Sequence, residues 1–317
     1  MSTNYLDVHS YEWHVVVNPN ACEGKCLKLW NEVSGLLSLR NIKWVLHQAE
    51  ATGKGMEIAS QLCTEGHRHL LVVGGDGTLN EVVNGIFQSG VDTQEVYLAV
   101  LPLGRGNDWA RTHHFPADNE ENVRIFDKGQ FMRHDIGLVK TFQNGSELDR
   151  RYFINIAGFG FDAEVIYDVT HNRPRFLGVS VYILGLLRTV LRYRSRRVRV
   201  CAPGFDFEGK SFLMVAAICQ YNGGGMRQAP MAVPDDGLLD LVLIPKVGLL
   251  TVFANIGKIF SGEHIRSIKG IRTCRADRIG IVASDPFRGE VEGELLPQGD
   301  YRVEALPRAL NVLTALD

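Results

Sequence analysis

Three stretches of the 317-residue chain hold side chains that could do chemistry. The first is VVGGDGTLNE, residues 72–81, where Gly74, Gly75 and Gly77 surround the carboxylate of Asp76 between an apolar run and an amphipathic one. Glycines admit positive φ and let the backbone approach an anion without an intervening Cβ. The following helix, whose apolar stripe is Leu79, Val82, Val83, Ile86 and Phe87, turns its positive end toward such an anion. Thr78 with Glu81 has the spacing of a capping box. Asn80, Glu81 and Asn84 are expected on its more polar side. The stretch has no G-x-x-x-x-G-K-[ST] and so is not a P-loop, and Gly53–Gly55 follows a polar run rather than a buried strand, which excludes a dinucleotide fingerprint.

The second stretch is LPLGRGNDWAR, residues 101–111, with Gly104, Arg105, Gly106 and Asn107 again between a strand and a helix. In a parallel α/β sheet, loops after neighbouring strands meet at the carboxyl edge, where ligands bind. The third is GEVEGE, residues 289–294, an acidic turn between two apolar runs.

The elements that must position these residues change character along the chain. Strands are expected at 13–17, 42–46, 69–73 and 97–101, and helices at 26–39, 54–63 and 79–87, the alternation of a parallel sheet covered on both faces. After about residue 131 short β-like runs dominate, at 133–140, 151–156, 197–202, 212–219, 239–244, 278–282 and 301–305. The expected architecture is an N-terminal α/β domain of residues 1–132 rejoined by 306–317, and a C-terminal antiparallel β-sandwich of residues 133–305.

A formal net charge of −2 argues against nucleic acid as a partner. The opening residues lack a secretory pattern, and six scattered cysteines read as reduced cytosolic thiols. Cys22 and Cys26 lack the second Cys/His pair that a zinc site needs, and His67, His69, His113 and His114 read as surface histidines. The apolar run 176–187, too short to span a bilayer, precedes Arg188, Arg192, Arg194, Arg196, Arg197 and Arg199. It reads either as a core helix with solvated arginines or as an element lying in an anionic membrane surface.

Five ordered motifs, GGDGTLNEVVNGI, LPLGRGNDWAR, INIAGFGFDAEV, NGGGMRQAPMAVPDDGLLDL and VEGELL, resemble the diacylglycerol kinase catalytic-domain family over residues 18–315. That family includes bacterial soluble lipid kinases and the sphingosine and ceramide kinases; GGDGT alone is shared with NAD kinases. The resemblance implies an ATP-dependent lipid kinase of NAD-kinase/diacylglycerol-kinase-like fold, most simply phosphorylating diacylglycerol to phosphatidate. It implies a cytoplasmic protein in peripheral contact with the membrane, and a homodimer is one possible assembly.

Carried onto this chain, the ATP positions are Asn18, Thr52, Gly74, Gly75, Asp76, Gly77, Thr78, Leu79, Asn80, Gly104, Arg105 and Asn107. Asp76 would organise Mg²⁺ and phosphate, and Asp135 would act through water on that metal. Val233, Asp236 and Leu238 match a structural Mg²⁺ site, and Asp162 matches a residue that meets the lipid head group. Glu294 is expected as general base with Glu292 in support. Two departures stand out: Arg105 where many bacterial relatives have threonine, and Glu292 where the family has aspartate. The competing readings are a sphingoid or ceramide kinase, an NAD kinase, and a nucleotide-binding regulator without catalysis.

Overall fold

The computed structural model describes residues 3–21, 26–104, 106–171, 189–285 and 287–315. Two compact units emerge. Met1–Ile136, Pro234–Gly237 and Leu306–Asp317 make the first, and Gly137–Val233 with Leu238–Ala305 the second. The fold is mixed α/β, with an N-terminal parallel sheet and a C-terminal β-sandwich.

In the first unit β1 (Thr3–Tyr5) pairs antiparallel with the start of β6 (Gln130–Gln143). The parallel sheet is built from β2 (Glu12–Val17), β3 (Lys43–Gln48), β4 (His69–Gly74), β5 (Tyr97–Pro102) and the end of β16 (Asp300–Leu313). Its order is β3-β2-β4-β5-β16, every neighbour parallel. Val15–Val17 and Leu70–Val73 are completely buried, as both-face coverage requires. Helices α1 (Cys26–Leu39) and α5 (Asn119–Lys128) cover one face. Cys26, Trp30, Val33 and Leu37, at helical spacing, are the buried stripe of α1. Between α1 and α5 in sequence lie α2 (Lys54–Thr64), α3 (Asp76–Gln88) and the short α4 (Asp108–Thr112). Helices α2 and α3 pack closely because Gly85 meets the Met56 carbonyl and Ala59, where a Cβ would collide.

The chain leaves β2 for β3 on one side and then crosses to β4 on the other. The carboxyl ends of β2 and β4 therefore flank the topological switch point, the place where open α/β sheets bind ligands.

The second unit is antiparallel throughout, in the order β15-β14-β8-β10-β9-β13-β16, with β11 on β10, β12 on β11, and β7 on β6. These strands are β7 (Ser146–Phe153), β8 (Ile156–Gly160), β9 (Arg196–Ala202), β10 (Phe205–Ala217), β11 (Leu239–Pro245), β12 (Arg272–Ala276), β13 (Arg278–Ala283), β14 (Gly289–Val291) and β15 (Glu294–Leu295). Strand β10 pairs with β9 over Phe205–Ser211 and with β8 over Leu213–Ala217, and its register to β11 shifts between Ser211 and Leu213. Such an irregularity lets one long strand serve two sheets. Helix α6 (Phe161–His171) follows β8, and α7 (Leu249–Asn255), α8 (Lys258–Ser261) and α9 (His264–Ser267) fill the passage from β11 to β12.

Two expectations need correction. A single strand over 151–156 is in fact two, interrupted at Ile154 and Asn155, whose N–H groups turn to the Glu292 carboxylate at 3.2 and 2.7 Å. Arg196, Arg197 and Arg199 do not end a helix but lie in β9, where Arg197 pairs with Glu208 at 2.9 Å and Arg199 with Asp206 at 3.2 Å across the hairpin. The apolar run 176–187 lies outside the described residues, as does Cys22.

Candidate functional site

Four connections leave the carboxyl edge of the parallel sheet: residues 18–20 after β2, 49–53 after β3, Gly75 between β4 and α3, and the link from β5 to α4. The last two are knitted together. The Gly74 carbonyl accepts from Leu103 N (2.9 Å) and Gly104 N (3.2 Å), and a Cβ on Gly104 would strike the Gly75 backbone. Asn107, held left-handed at φ 48°, donates from Nδ2 to the Pro102 and Gly104 carbonyls at 3.0 and 2.9 Å. Its Oδ1 is buried without a hydrogen-bond partner.

Asp76 opens α3, and its two carboxylate oxygens accept from Asp108 N and Trp109 N, both at 3.1 Å. It therefore clamps the start of α4 to the start of α3. The capping box does not form: Gly75 is the N-cap, with no side-chain cap bond. Thr78 is buried against Gly74. Glu81 instead reaches to the loop after β3 and accepts from Gly53 N (2.8 Å) and Gly55 N (2.9 Å). Asn80 and Asn84 are buried and bond to each other rather than facing solvent. The first N–H groups of α3 keep no acceptor inside the helix, which leaves an anion-receptive end beside two glycine loops. Asn18 Oδ1 accepts from Asn20 N at 2.9 Å, and Thr52 is exposed on the neighbouring loop. Arg105 lies outside the described residues.

A buried histidine pair underpins α4. His134 donates from Nδ1 to the Asp135 carbonyl, so its Nε2 accepts, from Trp109 Nε1 at 3.3 Å and from His113 Nε2 at 3.1 Å. Burial lowers both histidines, His134 to about 4. His113 is thus a core residue, contrary to its surface reading, whereas His114 is exposed. Asp135 is buried, and its oxygens accept from Gly237 N and Arg308 N, both at 2.6 Å. Its carboxyl ties two distant chain segments into the first unit, and burial raises its pKa. Asp236 is exposed within Pro234–Gly237 of this unit, while Val233 and Leu238 belong to the second.

The acidic stretch of the second unit is a hairpin. Val291 pairs with Glu294 across the two-residue turn Glu292-Gly293, both at positive φ (52° and 85°), the signature of a type I′ turn. Glu292 Oε1 is fixed by the Ile154 and Asn155 amides, while Glu294 is exposed with Arg151 Nη1 at 3.5 Å. Glu290, two residues earlier on β14, is buried. Its Oε2 accepts from Gly293 N at 2.7 Å, and its Oε1 has no partner. Gly158 lies opposite, where an added Cβ would strike Glu290 Oε1 and lie 3.1 Å from Asp162 Cβ, so a side chain there would displace the Glu290 carboxylate. Asp162, in the first turn of α6, accepts from the buried Gln228 Nε2 at 3.0 Å. Burial raises Asp162 to about 6, and burial with the nearby Asp162 charge raises Glu290 to about 8.

Sequence reasoning missed Glu81, Glu290, Gly158 and the His113–His134 pair. Glu81, Gly158 and the histidine pair meet partners distant in sequence, and Glu290 meets Gly293 only through the hairpin turn. The one available signal was the close run of glutamates at 290, 292 and 294.

Residues 12–139 match the diacylglycerol kinase catalytic domain, and residues 155–314 match the YegS C-terminal NAD kinase β-sandwich-like domain. A diacylglycerol kinase of Staphylococcus carnosus is 27% identical over 96% of this chain and 95% of its own. One from Bacillus subtilis is 30% identical over 78% of both chains. A crystal structure of a Bacillus anthracis diacylglycerol kinase superposes with a TM-score of 0.71 at 19% identity, over 96% of this chain and 97% of that one. These likenesses define the class as that of the lipid kinases, which take ATP as phosphoryl donor. The chain belongs to the diacylglycerol kinase catalytic-domain family.

Proposed function

We propose that the protein transfers the γ-phosphoryl group of ATP to the hydroxyl of diacylglycerol, giving phosphatidate. The observation that carries the reading is the closure of the two glycine loops on the carboxyl edge of the parallel sheet, Gly75 against Gly104, beside the open end of α3. Backbone amides can hold phosphate oxygens there without a lysine. The curated relatives named above act as diacylglycerol kinases by name, which supports this alcohol over a sphingoid base or NAD.

In this reading Gly74–Asn80, Gly104, Arg105 and Asn107 bind the phosphates, with Asn18 and Thr52 toward the rest of the nucleotide. The oxygens of Asp76 and the orphaned Asn107 Oδ1 are hard donors that suit Mg²⁺, whose contribution when bound is to offset charge on the transferring group. Asp135 is taken to act on that metal through water, with Gly237 N and Arg308 N holding its carboxylate in place. Val233, Asp236 and Leu238 are proposed as a separate structural Mg²⁺ site, in which only Asp236 lends a side chain.

The alcohol oxygen attacks the γ-phosphorus, the bond to the β,γ-bridging oxygen breaks, and ADP leaves. Glu294 takes the hydroxyl proton. It is exposed, with Arg151 as its neighbouring cation, whereas Glu292 Oε1 is already engaged by two backbone amides. Asp162 meets the lipid head group. A second assignment has one observation in its favour: the same two amides orient Glu292, which would suit it as proton acceptor.

The test is incubation of the purified protein with labelled ATP, Mg²⁺ and a panel of lipid alcohols in mixed micelles, with NAD in parallel. Label is expected in phosphatidate. Label only in NADP overturns the reading, label mainly in a sphingoid phosphate moves it to that substrate, and ATP binding without transfer to any acceptor identifies a regulator.

A further inference from the structure

Residues 246–271, which carry the chain from β11 to β12 through α7, α8 and α9, bury one side and expose the other. Val252 and Ile265 pack on the core of the second unit. Leu249, Leu250, Phe253, Ile256 and Phe260 face outward, with Leu250 86% and Phe260 53% exposed. Their spacing from Leu249, i+1, i+4, i+7 and i+11, makes one helical face that runs from α7 into α8. A contiguous outward apolar face is an interaction site rather than ordinary surface.

The charges around it are of one sign. Lys246, Lys258, Arg266 and Lys269 are exposed, and Glu263 is the sole carboxylate in the segment, so the segment carries +4 − 1 = +3 in a chain of net charge −2. Among the described residues none of these four cations forms an ion pair. Bare leucine and phenylalanine tips on a segment whose exposed cations are unpaired complement a hydrocarbon layer beneath anionic head groups. No described helix is long and apolar enough to cross a membrane, so contact of this kind stays at the surface.

We propose that the outer face of residues 249–260 is the docking element for an anionic phospholipid bilayer. The five apolar side chains enter the acyl boundary, and Lys246, Lys258, Arg266 and Lys269 meet head-group phosphates. The inference rests on the reading of the protein as a kinase of a membrane-resident alcohol. It assigns docking to the β11–β12 passage rather than to the arginines of β9, two of which already have acidic partners.

Flotation of the full chain with phosphatidylcholine vesicles, with and without phosphatidylglycerol, tests it. The wild type is expected to float with the anionic vesicles. Leu250→Asp combined with Phe253→Asp is expected to lower partitioning at least about ten-fold. Lys258→Glu combined with Lys269→Glu is expected to abolish the preference for phosphatidylglycerol. All these side chains are exposed, so both variants should keep the wild-type melting temperature and the wild-type rate on a short-chain, water-soluble diacylglycerol. Unchanged flotation of the apolar variant overturns the proposal, as does a wild type that does not float. If the apolar variant converts a dimer to a monomer while flotation persists, the face is a self-association surface and the proposal fails. A protein that floats through this face yet phosphorylates no lipid keeps the docking inference and loses the kinase reading; phosphorylation without flotation does the reverse.

Discussion

At the scale of single residues, the carboxylates divide by what their oxygens already hold. Glu294→Gln should lower kcat at least about 100-fold while leaving ATP affinity within about two-fold, the expectation for loss of a proton acceptor. Glu292→Gln keeps shape and reach but weakens the pull on the Ile154 and Asn155 amides, so a smaller loss is expected. A larger loss in Glu292→Gln than in Glu294→Gln would transfer the base role to Glu292. Glu81→Ala leaves Gly53 N and Gly55 N without an acceptor and should cost about 1–3 kcal/mol of stability. Its kinetic signature should be a raised KM for ATP with kcat little changed, measured by initial rates. None of these partnerships was legible beforehand, because Thr78 and Glu81 fit a local capping pattern and the N–H donors that Glu81 serves lie 26 to 28 residues upstream.

At the scale of elements, the loops matter through their closeness. Gly104→Ala forces a Cβ into the Gly75 backbone and should cost about 1–3 kcal/mol and at least about ten-fold in ATP affinity. Calorimetry and nucleotide titration check the two separately, and retention of both would mean the loops are not a closed pair. The elements that build this edge were readable because their apolar periods agree with their buried faces. The helix expected at 26–39 is the observed one, and each of the four expected parallel strands overlaps an observed one. What could not be read was the break at Ile154–Asn155 and the short β14 and β15, because a strand's end is decided by the acceptor that captures its N–H groups. The resemblance to the family supplied the site residues, while apolar periodicity alone supplied the fold of the first unit. Nothing in the sequence forecast that Asp76 would hold α4 in place or that His134 would support Trp109.

At the scale of the whole molecule, buried titratable groups limit stability from both sides of neutrality. His113 and His134 are lowered by burial, so the unfolded chain takes up more protons than the native one below the ordinary histidine value of 6.5. Stability should therefore fall as pH drops from 6.5 through about 4. Glu290 is raised from 4.5 to about 8, so the native state holds the extra proton and stability should fall as pH rises through that window. Melting temperatures across the pH range should trace a dome, and Glu290→Gln should flatten its alkaline limb by roughly 1–3 kcal/mol. A variant that keeps the full alkaline decline would show that Glu290 is not its source.

The strand β16 has a further consequence. Residues 311 and 312 lie beside Tyr97 and Leu98, so the parallel sheet of the first unit lacks its fifth strand until the polypeptide has been made to residue 313. During synthesis the second unit has all of its strands first, since its share of the chain ends at Ala305. The carboxyl edge of that sheet is thus the last part to acquire native form. A released chain that ends at Ala305 should resist proteolysis in its C-terminal unit while its N-terminal unit is still cut.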